Sequence, residues 1–329
     1  TPLYSSAASD VYKRQVLFFS LGLIAQLIRS DLKLPTELTK SITIYLLISI
    51  GLHGGRELAH THFSDAIPSI GVAFLLGFTI PLIAYVVIRK LGKVDTFNAV
   101  AIATHYGSVS AGTFLTALAF LEIHKVSFES YPIIMLATME TPAILIGLLM
   151  VFWIRSKTTT EEVMDKQGMK GIVREAFTNG SILLLLGGML IGYSGTDKSM
   201  VNIQPFFDQL FYGVLCIFLL AMGMEAGKKL NDFKQAGLFL ICFGIGMPLL
   251  GGAIGVSLAT FVLHFSIGGA TLVGVLAASA SYIAVPPVMR MAVPEANPSI
   301  YLTLSLGVTF PFNVVIGIPL YYHLAQALA

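Results

Sequence analysis

Thr104-His105-Tyr106-Gly107-Ser108-Val109-Ser110-Ala111-Gly112-Thr113 and Ala278-Ser279-Ala280-Ser281-Tyr282-Ile283-Ala284-Val285-Pro286-Pro287 are the two stretches that decide the fold. Each lies in the middle of a long apolar run, and in each the apolar pattern fails. Gly and Ser at this density weaken a helix, and paired prolines cannot take part in the preceding turn's hydrogen bonds. In lipid an unpaired backbone N–H or C=O costs several kcal/mol, so a broken helix survives there only where it lines a cavity or is paired by another group.

The surrounding sequence says that lipid is the solvent. Of 329 residues, 55% are hydrophobic and 12% charged, with a mean hydropathy of +0.81. Soluble domains carry roughly 25% charged residues, so this chain lacks the polar surface a water-soluble particle of its size needs. The net charge of +2 gives no reason to expect nucleic acid as a partner. Cys216 and Cys242 sit inside apolar runs and read as small buried hydrophobes. There is no zinc spacing, P-loop or dinucleotide fingerprint, and no nucleophile and base pair, so an enzyme is not expected.

Taking about 20 apolar residues per span, the candidates are 16–29, 37–54, 67–90, 97–121 and 131–154, then 177–194, 206–227, 233–264, 269–289 and 299–327. The expected organisation is a leader at 1–15 that looks foreign to the fold, a five-helix repeat at 16–154, a polar cytoplasmic linker at 155–175, and a second repeat at 176–329. The halves echo each other. Gly51, Gly55, Arg56 and Leu58 close the second span, and Gly223, Gly227, Lys228 and Leu230 close the seventh, all offset by 172. Pro81 and Pro248 interrupt the third and eighth spans, and Pro142 and Pro311 the fifth and tenth. For the four glycines, close helix packing is the preferred reading.

Lys and Arg set the orientation. Arg29, Lys33 and Lys40, Arg89, Lys90 and Lys93, the 155–174 group, Lys228, Lys229 and Lys234, and Arg290 follow the odd-numbered spans, against Arg56, Lys125 and Lys198 after the even ones. The first set is expected to be cytoplasmic, with both termini outside. Five spans per half then make the repeats inverted. The fold expected is an all-α integral membrane protein of about ten transmembrane helices in two inverted five-helix repeats, with helices 4 and 9 broken and crossing.

That layout is common in secondary transporters. Half-helix N-termini offer N–H groups to an anion, and half-helix C-termini and hydroxyls offer oxygens to a cation. The solute is expected against Gly107, Ser108, Ser110, Ala111, Gly112 and Thr113 from one break and Tyr282, Ile283, Ala284 and Val285 from the other. A sodium ion would draw on Ser110, Glu140, Ser279, Ser281 and Thr309. Glu140 stands out, because a carboxylate in mid-span is a functional hypothesis by default; it could hold a cation or a proton. Glu225 is expected to pair with Lys228 or Lys229 at helical spacing. For His105, proton carriage and a hydrogen-bonded structural role are both open, and Asn313 could add an oxygen.

At these residues the sequence resembles the sodium-dependent bicarbonate transporter family of cyanobacteria and related bacteria. The resemblance is carried by Gly107 to Thr113, Met139-Glu140-Thr141-Pro142-Ala143, Met222-Gly223-Met224-Glu225-Ala226, Ala277 to Ser281 continuing to Pro286-Pro287, and Pro294-Glu295-Ala296-Asn297-Pro298-Ser299. It implies an elevator-like core and gate, a homotrimer in the bacterial inner membrane, and sodium-coupled bicarbonate uptake at the crossing of spans 4 and 9. The pattern departs in places: Tyr282 stands where the family has aspartate, Ala284-Val285 where it has Ser-Gly, Gly112 where it has serine, Glu140 for aspartate, and Phe310 for threonine. These changes remove hard oxygen ligands from a cation site and leave the backbone donors of an anion site in place. The linker is short beside the long insertion of cyanobacterial members, so a PII-like regulatory partner is not expected. The expected function is a secondary transporter of bicarbonate or another small anion, coupled to sodium or, through Glu140, to protons. The alternatives are a small organic acid as substrate, and a membrane sensor that binds its solute without moving it.

Overall fold

A computed structural model describes residues 16–59, 66–158, 180–195, 201–230 and 233–329. The expected leader at 1–15 and nearly all of the linker lie outside the described residues. The described residues are all-helical, with no strand. In chain order the helices are α1 (Val16–Leu27), α2 (Thr36–Ala59), α3 (Ile67–Lys90), α4 (Thr96–Gly107), α5 (Ala111–Ile123), α6 (Tyr131–Thr158) and α7 (Gly180–Ser194). After them come α8 (Phe211–Leu230), α9 (Phe233–Phe261), α10 (Ile267–Ala277), α11 (Val285–Ala292) and α12 (Pro298–Leu328).

Among the described residues six segments are long and apolar enough to cross a membrane: Ile67–Lys90, Thr96–Ile123, Tyr131–Arg155, Pro205–Lys229, Gly237–Phe261 and Pro298–Leu328. Helix α2 is long enough, but it carries Glu37, Lys40, His53 and Arg56. The described parts of α1, α7 and α10 are apolar but short. Helix α9 is interrupted at Gly237, whose φ of 75° suits a residue without Cβ. Helix α12 alternates α and π turns at 303–309 and 313–317, the wider turns flanking Pro311, which cannot donate to the ladder.

The helices of the second half pair as those of the first do. Helix α3 packs on α4 and α6, and α4 on α6; likewise α9 packs on α10 and α12, and α10 on α12. The glycines explain two more contacts. Gly51 and Gly55 of α2 let the α7 backbone come close at Leu185, Gly188 and Met189, and Gly22 of α1 and Gly223 of α8 let those helices meet in the same way. In lipid no hydrophobic force draws helices together, so backbone approach through small residues is the means of binding them. The packing reading of Gly51, Gly55, Gly223 and Gly227 holds.

Each broken helix is capped by its own half and tied near that cap to the opposite half. Asp95 caps α4 by accepting from the Asn98 N–H at 3.0 Å, and Asn98 Oδ1 accepts from the Asn297 N–H at 2.7 Å, in the loop after α11. Ser266 caps α10 and donates through its N–H and hydroxyl to Glu129, at 2.7 and 3.0 Å, in the loop after α5. Loop 126–130 and loop 293–297 therefore hold equivalent positions. The second is fastened further by Arg155, which reaches Glu295 at 3.0 Å.

Candidate functional site

Both interruptions are real breaks, and they meet. Residues 108–110 separate α4 from α5, and 278–284 separate α10 from α11. The N–H of Ser281 donates to the His105 carbonyl at 2.8 Å, so a donor freed by one break satisfies an acceptor freed by the other. The Ala278 carbonyl is met from α12 by Asn313 Nδ2 at 2.8 Å, while Asn313 Oδ1 accepts from the Tyr321 hydroxyl at 3.0 Å. Asn313 thus ties the second break to α12, with its amide oxygen anchored within that helix.

A cavity of about 10 Å³, room for about one water, lies at the junction. Its walls are Val109, Ser110 and Ala111 from the first break, Ser281, Tyr282 and Ile283 from the second, Glu140 from α6, and Thr43 and Leu47 from α2. Helix α5 begins here, its first turn capped by Ser110, whose Oγ accepts from the Thr113 N–H at 3.2 Å and the Thr113 hydroxyl at 2.9 Å. Helix α11 begins here too, with the Val285 N–H pointing at Ser281 Oγ at 3.4 Å. Glu140 is 8% exposed and its Oε2 has no hydrogen-bond partner. The Tyr282 hydroxyl lies beside Ser110 and Gly112 without reaching hydrogen-bond geometry with either.

The same Thr43, Leu47, Tyr282 and Ile283 also border an open vestibule of about 1180 Å³. Lys40, Lys229, Arg290 and Glu225 line it, together with Ala284 and Pro286. Glu225 is bonded to Lys228 at 2.5 Å, as its spacing suggests.

The expected site residues divide into two groups. Ser110, Ala111, Glu140, Ser281, Tyr282 and Ile283 come together at the cavity, and Ala284 faces the vestibule. The others serve the framework. Gly107 is packed by the Pro81 ring, Ser108 is buried, Thr113 bonds to Ser110, and Val285 opens α11. Gly112 faces the Tyr282 hydroxyl and the Phe218 ring. Ser279 donates to the Val275 carbonyl at 2.6 Å, and Thr309 donates to Gly244 at 2.7 Å and meets the Tyr106 hydroxyl at 2.7 Å. His105 is stacked on Tyr301 with ring centroids 4.4 Å apart, its Nδ1 2.6 Å from the Ala101 carbonyl. Among the described residues no cluster of three His, Cys, Asp or Glu could hold a metal.

Sequence reasoning missed Thr43 and Leu47. Their signal is the series Thr39, Thr43, Leu47 at four-residue spacing along α2, one face of a helix, all three lining the vestibule.

A family model described as the Na+-dependent bicarbonate transporter superfamily matches residues 15–326. The chain belongs to that superfamily. It is therefore a multi-pass membrane protein of a transporter family. No curated protein matches it. The Tyr282 and Phe310 rings touch edge to face at 5.4 Å. The tyrosine hydroxyl lies where a side chain at 112 would begin. Residues 112, 282 and 310 form one steric unit.

Proposed function

We propose that the chain is a secondary active transporter of a small anion, bound where the two breaks meet. The observation that carries this is the single cavity enclosed by both breaks, at which α5 and α11 begin and to which the open vestibule leads. Helix N-termini present N–H groups and the positive end of the dipole to an anion, and Lys40, Lys229 and Arg290 line the approach. Bicarbonate is the first substrate to test, on the superfamily's description. A small organic acid is the second reading, favoured by Tyr282 and Phe310, which put aromatic surface beside the cavity.

Ten membrane crossings in two inverted repeats are part of the reading. The recurring helix pairs, the reciprocal glycine contacts of α2 with α7 and α1 with α8, and the reciprocal caps at Asp95 and Ser266 all support it. Lys40, Lys229 and Arg290 belong to the basic groups expected at the cytoplasmic ends of the spans, so on this reading the vestibule opens on that side of the bacterial inner membrane, with both termini outside.

The test is uptake of labelled bicarbonate into proteoliposomes, with unlabelled formate, acetate and pyruvate as competitors. Saturable uptake above protein-free vesicles supports transport, and competition ranks the two substrates. Saturable binding in detergent with no flux under any gradient would make the protein a sensor instead.

A further inference from the structure

The open vestibule is more apolar than the passage of a small hydrophilic anion calls for. Lys40, Lys229 and Arg290 line it, and Glu225, the acidic residue on its wall, is bonded to Lys228. The excess charge there is therefore positive. Most of the remaining wall is apolar, with Ile44 and Leu47 from α2, Met222 from α8, Ile283 and Met291 at either end of α11, and Leu306 from α12. Ile44 is 45% exposed, Ile283 39% and Met291 52%. Large apolar side chains left bare around one opening mark a site for an apolar guest, and methionine among them adapts to its shape. A hydrated anion gains nothing from such a wall.

The cations and the apolar residues are layered. On α2 Lys40 is followed seven residues later by Leu47, and on α8 Met222 precedes Lys229 by seven. From Arg290 back to Ile283 the interval is seven again. At 1.5 Å per residue the two helical intervals are about 10 Å long. Leu47 and Ile283 also border the small cavity. The cations therefore stand at the mouth, and an apolar layer about 10 Å deep separates them from the cavity. An alkyl chain advances about 1.3 Å per carbon–carbon bond, so the layer takes a chain of about eight carbons. The tail of a bilayer lipid spans about 15 Å, half the hydrocarbon thickness, and is too long for it.

We propose that the vestibule is a binding site for a soluble medium-chain carboxylate, its head among Lys40, Lys229 and Arg290 and its alkyl tail along the apolar layer. Each methylene that leaves water along the tail strengthens binding about fourfold, and the gain stops where the layer ends. The cavity beyond has room for about one water and does not admit the tail. The carboxylate thus stays in the vestibule and blocks the way to the cavity. The site stands on the vestibule's own geometry, and the block rests on the transport reading above.

The same chemistry turns two other guests away. An alkylammonium of equal length meets like charge at the mouth. A polar polyanion finds the cations, but it sets its other polar groups against methyl and thioether surface, where they lose water without gaining a partner.

The full chain in lipid nanodiscs, with labelled octanoate as ligand and empty nanodiscs as the blank, tests the site. Binding above the blank should saturate. Hexanoate should displace the label about fifteenfold less well than octanoate, while dodecanoate should gain no more than about fourfold over it. Octylammonium should not displace it. Ile44→Ser and Met291→Ser, both at exposed positions, should each weaken octanoate about fourfold or more. In proteoliposomes octanoate should raise the KM for labelled bicarbonate, the transport probe. No saturable binding above empty nanodiscs, an affinity that climbs about fourfold per methylene as far as dodecanoate, as partition into a bilayer does, or equal displacement by octylammonium overturns the proposal. Octanoate bound with the bicarbonate KM unchanged overturns the block. Absence of bicarbonate exchange in preloaded vesicles is a separate result, which sinks the transport reading and the block with it and leaves the site to be judged on the nanodisc binding.

Discussion

If Tyr282 can stand in the second break only because residue 112 has no side chain, Gly112→Ala should damage the protein, and removal of the tyrosine hydroxyl should repair part of the damage. A Cβ at 112 would be 2.8 Å from Phe218 Cε1 and 3.1 Å from Cζ, and closer still to the Tyr282 hydroxyl. Phe218 is 1% exposed and cannot swing aside. Overpacking a full core by a methyl costs about 1–3 kcal/mol, and two clashes at once place Gly112→Ala at the upper end, about 2–3 kcal/mol. Tyr282→Phe removes one of the two clashing groups and also frees a buried hydroxyl from its unsatisfied state, which costs about 1–3 kcal/mol while it lasts. The double variant should recover about 1 kcal/mol of the loss, a positive coupling in a double-mutant cycle. Thermal unfolding in detergent reads the stability of all four proteins, and probe uptake reads the cavity. Additive effects within about 0.5 kcal/mol, or a Gly112→Ala protein as stable as its parent, would refute the steric link between the two breaks.

Other expectations test the frame and the approach. Gly51→Val should destabilise by at least about 2 kcal/mol, because its Cβ would lie 2.6 Å from the Leu185 carbonyl and 3.0 Å from Gly188 Cα, backbone that cannot yield. Gly71→Ala, where a Cβ meets nothing within 4 Å, should be neutral or gain a few tenths of a kcal/mol from helix propensity; the two melting curves in detergent should part clearly. Glu129→Ala leaves the Ser266 N–H and hydroxyl without their charged acceptor at the α10 N-terminus and should cost about 2 kcal/mol, whereas Arg155→Ala, which removes an ion pair at the surface, should cost under about 1 kcal/mol. Arg290→Glu in the vestibule should raise the KM for a labelled anion, more at low salt than at high salt, since the field of exposed charges is screened beyond about 10 Å at 0.1 M; a KM unchanged at low salt removes the vestibule from anion capture.

What the sequence made legible is whatever lipid dictates. Breaks at 108–110 and 278–284 could be found because polar and proline residues in mid-span have no cheap explanation there, and Glu140 for the same reason. The glycines at 51, 55, 223 and 227 could be read as contacts because their spacing repeats. Hydroxyls were less legible. A buried serine or threonine has two uses that look alike in sequence, ligand and helix back-bond, and only geometry separates Ser110 at the cavity from Ser279 turned back to Val275 and Thr309 turned to Gly244. Thr43 and Leu47 went unseen because an unbroken helix such as α2 gives no local sign of which face meets the site.

The same distinction decides what residues 112, 282 and 310, where the resemblance leads one to expect other side chains, mean together. Each taken singly reads as decay of a polar site. In space they are coupled: the ring at 310 supports the ring at 282, and the missing side chain at 112 admits the hydroxyl at 282. A decayed site would leave voids or stranded contacts of random kind, because lost packing is not refilled without compensating change. Here the space is filled to about one water's volume, with the Glu140 carboxyl and the hydroxyl residues Thr43, Ser110, Ser281 and Tyr282 lining it. Close packing around retained polar groups argues for a working site over a decayed one, and uptake in proteoliposomes is the measurement that decides it.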